Sequence, residues 1–145
     1  MADVWYNSGK QVVAEGKWPT GVGDIRMLLI GGASVPGGAY ATTLSTVSAL
    51  LAVSGTTECN GTGYSRKSVT GRAISIDAGN SRVVLDSDDV TWTGADFGTV
   101  RAAVLYVEGA SDAARTLIAI YDTGFPKVTN SADLTIGTPN GCLRF

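Results

Sequence analysis

The stretch Val100-Arg101-Ala102-Ala103-Val104-Leu105-Tyr106-Val107, followed by Leu117-Ile118-Ala119-Ile120-Tyr121, decides the fold. Arg101 apart, the first segment is apolar at both odd and even positions, and the second has the same character. A strand with one wet face alternates apolar and polar residues; one covered on both faces reads as an apolar run. Both segments are therefore read as central strands. The link from Glu108 to Arg115, which includes Gly109, is a hairpin loop or a longer connection.

Working outward, the chain keeps this texture. Toward the C-terminus, Gly124-Phe125-Pro126 is a turn. Asp133 to Gly137 alternates cleanly with Leu134 and Ile136 inward, and Asn140-Gly141 turns into a last strand, Cys142 to Phe145. Toward the N-terminus, Val90 to Thr93 and Arg82 to Asp86 are two short strands, or one strand broken at Ser87-Asp88. From Thr62 to Ile76 the apolar phase slips: Val69 and Ala73 are odd, Ile74 and Ile76 even. A one-residue slip exchanges the faces of a strand, so Gly71 marks a bulge or bend.

Further back, residues 43–52 carry Leu44, Val47 and Leu51 at helical spacing behind Thr42 or Thr43 as a cap. Gly32 to Tyr40, with Pro36-Gly37-Gly38, reads as a flexible surface loop. Asp24 to Ile30 is a strand with Ile25, Met27 and Leu29 on one face. Lys17 to Gly21 is a loop. Residues 3–15 are open between a short helix, capped by Asp3 and stopped by Gly16, and a loosely ordered arm; Gly9 disfavours the helix. The expectation is one domain over residues 1–145, with 1–23 an N-terminal arm and loop. Its class is all-β: a jelly-roll-like β-sandwich of about seven or eight strands with a short helix and an irregular arm.

Composition narrows the function. With 145 residues, 44% hydrophobic, the chain can build a core. Only 17% of residues are charged, against a usual ~25%. Weak charge suits a subunit that hides neutral surface in an assembly. Net charge is −2 and Arg66-Lys67 is the only adjacent basic pair, which excludes the basic stripe that nucleic acid needs. No apolar run approaches 18 residues, so no membrane-spanning helix is expected. The start, Met1-Ala2-Asp3-Val4-Trp5-Tyr6, lacks a secretory pattern, which predicts manufacture in the cytoplasm.

Catalytic and ligand chemistry find little support. The chain has no histidine, which removes Cys/His zinc sites and Ser-His or Cys-His nucleophile pairs. Asp86-Ser87-Asp88-Asp89 offers oxygens for calcium but lacks the EF-hand glycine and distal glutamate, and reads as a solvated turn. No spacing singles out two carboxylates, Glu58 and Glu108 included, for glycoside hydrolysis. The paired glycines at 31–32 and 37–38 are not a phosphate loop. Neither enzyme activity, cofactor nor metal is expected. Cys59 and Cys142 are either a long-range disulfide or two small thiols.

The order of the segments resembles small structural proteins encoded with the heads of tailed bacteriophages. It is carried by Tyr6-Asn7-Ser8-Gly9-Lys10, the strand Ile25 to Ile30, the stretch Glu58 to Arg66, and Asp89-Val90-Thr91-Trp92. Ala102 to Tyr106, Leu117 to Asp122 and Leu134 to Ile136 complete it. The likeness spans nearly the whole chain and departs at the long glycine-rich loop Gly31 to Gly38. It implies a capsid cement or decoration protein, bound to the outside of an icosahedral shell. Its partners would be the major capsid protein and copies of itself, and its location the virion exterior. The alternative is a tail- or fibre-associated module that recognises a host glycan. The expected capsid contacts are the aromatic N-terminal segment with Val4, Trp5 and Tyr6, then Trp18, Tyr40 in the glycine-rich loop, and Arg66 and Lys67 on an exposed strand.

Overall fold

The computed structural model describes residues 3–18 and 24–137, and the backbone of 143–144. The chain opens with strand β1 (Val4–Trp5), helix α1 (Asn7–Ala14) and strand β2 (Ile25–Ile30). Helix α2 (Val47–Leu51) precedes β3 (Lys67–Ser68), β4 (Ala73–Asp77), β5 (Arg82–Asp86) and β6 (Val90–Ala95). Then come β7 (Thr99–Val100), β8 (Ala102–Val107), β9 (Thr116–Tyr121), β10 (Lys127–Val128), β11 (Ala132–Ile136) and β12 (Leu143–Arg144). The fold is an all-β sandwich with short helices, as expected. It has more strands than the seven or eight anticipated, because five of these are two-residue pieces that only their pairing defines.

The largest sheet has the order β1–β9–β8–β2–β3. At its centre β8 pairs antiparallel with both β2 and β9, and β8 is buried on both faces up to its last residue. This bears out the reading of the two apolar runs. One face carries Met27, Leu29, Ala103 and Leu105 into a core with Trp92, Trp18, Leu85 and Ile136. The ribbons β6–β11 and β4–β5–β12 supply that layer. The other face carries Leu28, Ile30, Val104 and Ile120 against Tyr6, which precedes α1, and against Tyr40, Val47 and Leu50 from α2 and the turn before it. Each large side chain buried this way contributes about 1.5–3 kcal/mol.

The N-terminal segment is not an arm. Val4 and Trp5 pair with Ile120 and Ala119, which makes β1 an edge strand of the large sheet. Tyr6 and Trp18 are completely buried. Helix α1 forms despite Gly9, and the reason lies in β9. The register of β8 and β9 shifts after Leu105, where Leu105 faces Ala119 and Tyr106 faces Leu117. Ile118 is the extra residue of this bulge, and its carbonyl accepts the Tyr6 backbone N–H at 3.0 Å. A β-carbon at Gly9 would lie 2.1 Å from that same oxygen. Glycine lets the helix backbone rest on the bulge, and this close approach outweighs its poor helix propensity.

Other local expectations are corrected in detail. Asp3 does not cap α1; its carboxylate accepts the backbone N–H groups of Asp122 and Thr123 and the Thr123 hydroxyl. Gly16, at φ +74, does end the helix region. Thr46 caps α2, accepting the Ala49 N–H, rather than Thr42 or Thr43. The glycine-rich loop is fastened at its end: Gly37–Tyr40 is a 3-10 turn with Ala39 and Tyr40 buried. Gly71 bends the chain between β3 and β4 at φ +61, as the phase slip predicts. The Asn140-Gly141 turn and Cys142 lie outside the described residues. Cys59 is a buried free thiol.

Candidate contact surface

The expected contact residues separate into three fates. Tyr6 and Trp18 are core. The Tyr6 hydroxyl donates to the Ala39 carbonyl at 2.6 Å, and the Trp18 indole N–H to the Ala73 carbonyl at 3.1 Å. Large aromatics with one polar tip are buried when that tip finds an acceptor, so neither side chain is offered to a partner. Tyr40 is nearly buried, and its hydroxyl donates to Asp122 at 2.6 Å. Burial first, and then the Asp122 carboxylate, push the Tyr40 hydroxyl well above the usual tyrosine range, so it stays protonated.

Arg66 is claimed by the protein itself. Its Nε and one terminal nitrogen each donate to the Glu58 carboxylate at 2.7 Å, a fork-to-fork pair. The other terminal nitrogen donates to Asp112 at 2.6 Å. Arg115 joins Asp112, at 2.7 Å, to Glu108, and Glu108 meets Arg26 at 3.1 Å; Arg26 also meets Asp24. The Tyr64 hydroxyl donates to Glu58 at 2.7 Å, and the Arg66 guanidinium lies over the Tyr106 ring. This chain of alternating charges stitches β2, β3 and the β8–β9 connection at one end of the sheet. Only 19% of the Arg66 side chain is exposed. The expectation that Arg66 is a free edge charge is therefore corrected.

Two carboxylates of this cluster, Glu108 and Asp112, are shifted away from acid chemistry. The hydrogen bond from Arg115 holds the Glu108 carboxyl below its ordinary range, and that from Arg66 does the same for Asp112. A general acid at neutral pH needs the opposite shift. Among the described residues no group of acidic and thiol side chains is gathered for a metal ion. In the aspartate-rich turn between β5 and β6, Asp88 accepts from the Thr70 hydroxyl and lies behind Gly71.

Val4, Trp5 and Lys67 are each half-buried. Val4 and Trp5 occupy β1 and Lys67 occupies β3, the two outer strands of the large sheet. Four strand spacings separate these edges, about 19 Å, so they form two contacts rather than one. Trp5 lines a groove of about 390 Å³ with Val13, Ala14 and the stem of Lys10 from α1. No motif marked this groove, because it exists only once α1 lies across β9.

A further exposed element had no functional signal in the sequence. The β4–β5 hairpin sets Ile74 opposite Leu85 and Ile76 opposite Val83, on one face. Leu85, near the base, is core. Ile74 is 47% exposed and Ile76, toward the tip, 80% exposed. Even positions of β4 share a face with the core side of β5, which is why their pattern resembles an ordinary buried strand. The hairpin overhangs the core, and its outer half carries the apolar face into solvent.

No protein family, curated protein or solved structure matches this chain.

Proposed function

We propose that this protein is a virion structural protein that binds the outside of an icosahedral phage capsid and holds neighbouring major capsid subunits together. The observation that carries the reading is the apolar face of the β4–β5 hairpin, with Ile76 80% exposed on a sheet edge. Exposed apolar strands without charge or proline to protect them invite pairing, and soluble monomers avoid them. Here the edge residues Ala73-Ile74-Ser75-Ile76 are uncharged between Arg72 and Asp77, and the Trp18 indole covers only the first of them, at the Ala73 carbonyl. The low charge of the whole chain and the Trp5 groove support the same reading, since aromatics concentrate at interface centres.

Stabilisation follows from linkage. A protein that binds the assembled shell but not free subunits shifts the balance toward the shell. Neighbouring copies that touch one another add avidity. Both contacts are built from residues of paired strands and a helix that packs on the large sheet, and elements ordered before docking lower its entropic cost. The role is structural and requires no catalytic group.

The test is co-sedimentation of the purified protein with shells that lack it. The wild-type chain saturates the shells and raises their melting temperature. Ile76→Asp and Trp5→Ala, each checked by circular dichroism for intact folding, lower the bound amount. Binding unchanged in both variants contradicts the assignment of these surfaces, and no binding by the wild-type chain contradicts the function. Removal of residues 1–8 is not an informative variant, because it takes Tyr6 out of the core. The alternative, a tail- or fibre-associated glycan-recognition module, predicts no binding to shells and a low copy number per particle.

A further inference from the structure

The loops at one end of the large sheet line an open cleft of about 330 Å³ that the proposed capsid contacts do not use. Val35 and Tyr40 come from the glycine-rich loop after β2. Arg101 comes from the break between β7 and β8, and Asp122, Phe125 and Pro126 from the turn after β9. Binding functions concentrate on such loop clusters, which a rigid scaffold positions.

Arg101 is the informative residue. It interrupts the apolar run of the central strand, where a buried charge would be costly. Its Nε donates to the Gly32 carbonyl at 3.1 Å, which fixes the guanidinium at the cleft. Arg26, Arg66, Arg82 and Arg115 each meet a carboxylate. Among the described residues Arg101 meets none, so its terminal nitrogens keep their donor capacity. Asp122 also lines the cleft, and the Tyr40 hydroxyl orients its carboxylate. Val35, Phe125 and Pro126 form an apolar wall, with the Lys127 ammonium 5.9 Å from the Phe125 ring centroid.

We propose that this cleft is a binding site for a neutral sugar ring. A simple anion would suit Arg101 but be repelled by Asp122, and a simple cation would meet the reverse. A ring of hydroxyls satisfies both: some donate to the carboxylate while others accept from the guanidinium. The C–H face of the sugar packs on Phe125 and Pro126. The volume stands at the lower end of small-molecule sites, which fits one ring rather than a long chain. A single such site is weak, and many copies on one particle would raise the avidity for a glycan-coated surface. The site does not depend on the capsid reading, since it lies within one chain.

Saturation-transfer NMR on the free, full-length protein tests it. The probes are glucose, galactose, mannose and N-acetylglucosamine, with acetate and glycine as an anion and a zwitterion. At least one sugar is expected to receive transfer, and Arg101→Gln and Phe125→Leu each to reduce it several-fold with the wild-type circular dichroism retained. Absence of transfer to all four sugars overturns the proposal, as does transfer that both variants leave unchanged. Arg101-dependent binding of acetate or glycine without any sugar also overturns it, in favour of a carboxylate site. Because no shell is present, a failure here is distinct from a failure of capsid binding.

Discussion

A β-carbon at Gly9 would fall 2.1 Å from the Ile118 carbonyl oxygen, inside the contact of α1 with the β9 bulge. In an exposed helix, replacing glycine by alanine stabilises by roughly 0.5–1 kcal/mol. Here the helix must move off the sheet, so Gly9→Ala is expected to destabilise by about 1–3 kcal/mol. Urea unfolding measures the sign directly, and a stabilised variant would contradict the packing described. Cys59 makes a second prediction at this scale. Burial pushes its thiol up to about 12, which starves it of thiolate. In a Cys142→Ser background, iodoacetamide at about pH 8, close to the ordinary thiol value, is expected to label Cys59 slowly in the native protein and fast in denaturant. Mass spectrometry reads both rates, and equal rates would refute the burial.

At the scale of elements, the ion cluster is tied into the fold, whereas the outer half of the hairpin stands clear of the core. Arg66→Ala leaves Glu58 and Asp112 part-buried without their main partner and is expected to cost about 1–3 kcal/mol. Arg66→Lys recovers only part of this, since an ammonium cannot form the two-pronged pair with Glu58. The same cluster sets an acid limit. Folded Glu108 and Asp112 titrate below their unfolded values, so near those values the unfolded chain binds more protons. Their contribution is complete above the unfolded pKa values of about 4 and is lost as pH falls through the lower folded ones. The melting temperature should drop across that window, and Asp112→Asn should flatten part of the drop. A pH-independent melting temperature there would contradict the cluster. The β4–β5 hairpin contributes little to the core at its tip, so Ile76→Asp is expected to change stability by no more than about 0.5 kcal/mol while weakening shell binding. These element-scale roles were only partly legible in sequence. The bend at Gly71 appeared as a phase slip, but the partners of Arg66 are 8 and 46 residues away and leave no local signature.

At the scale of the molecule, the central layer could be read because two-sided burial writes itself into a strand as an unbroken apolar run. The runs of β8 and β9 carried that pattern, and both are central; β2, interrupted by Arg26, is central as well but was legible only as a strand. The N-terminal third misled because its order is tertiary. Val4 and Trp5 become a strand only beside β9, and Gly9 favours a helix only against Ile118. Aromatics there looked like free interface anchors, yet Tyr6 and Trp18 fill the two cores on opposite faces of the sheet. The exposed large apolar side chains among the described residues lie instead on β4, as Ile74 and Ile76, and on β10, as Val128, where the pattern was that of any strand. The cleft around Arg101 was signalled only by a single charge in the wrong place. A capsid role for the exposed face of β4 is tested by counting the protein in purified particles by quantitative mass spectrometry against the major capsid protein. Hundreds of copies per particle are expected, in a fixed ratio to capsid subunits. Absence from the particle, or a handful of copies, would contradict it.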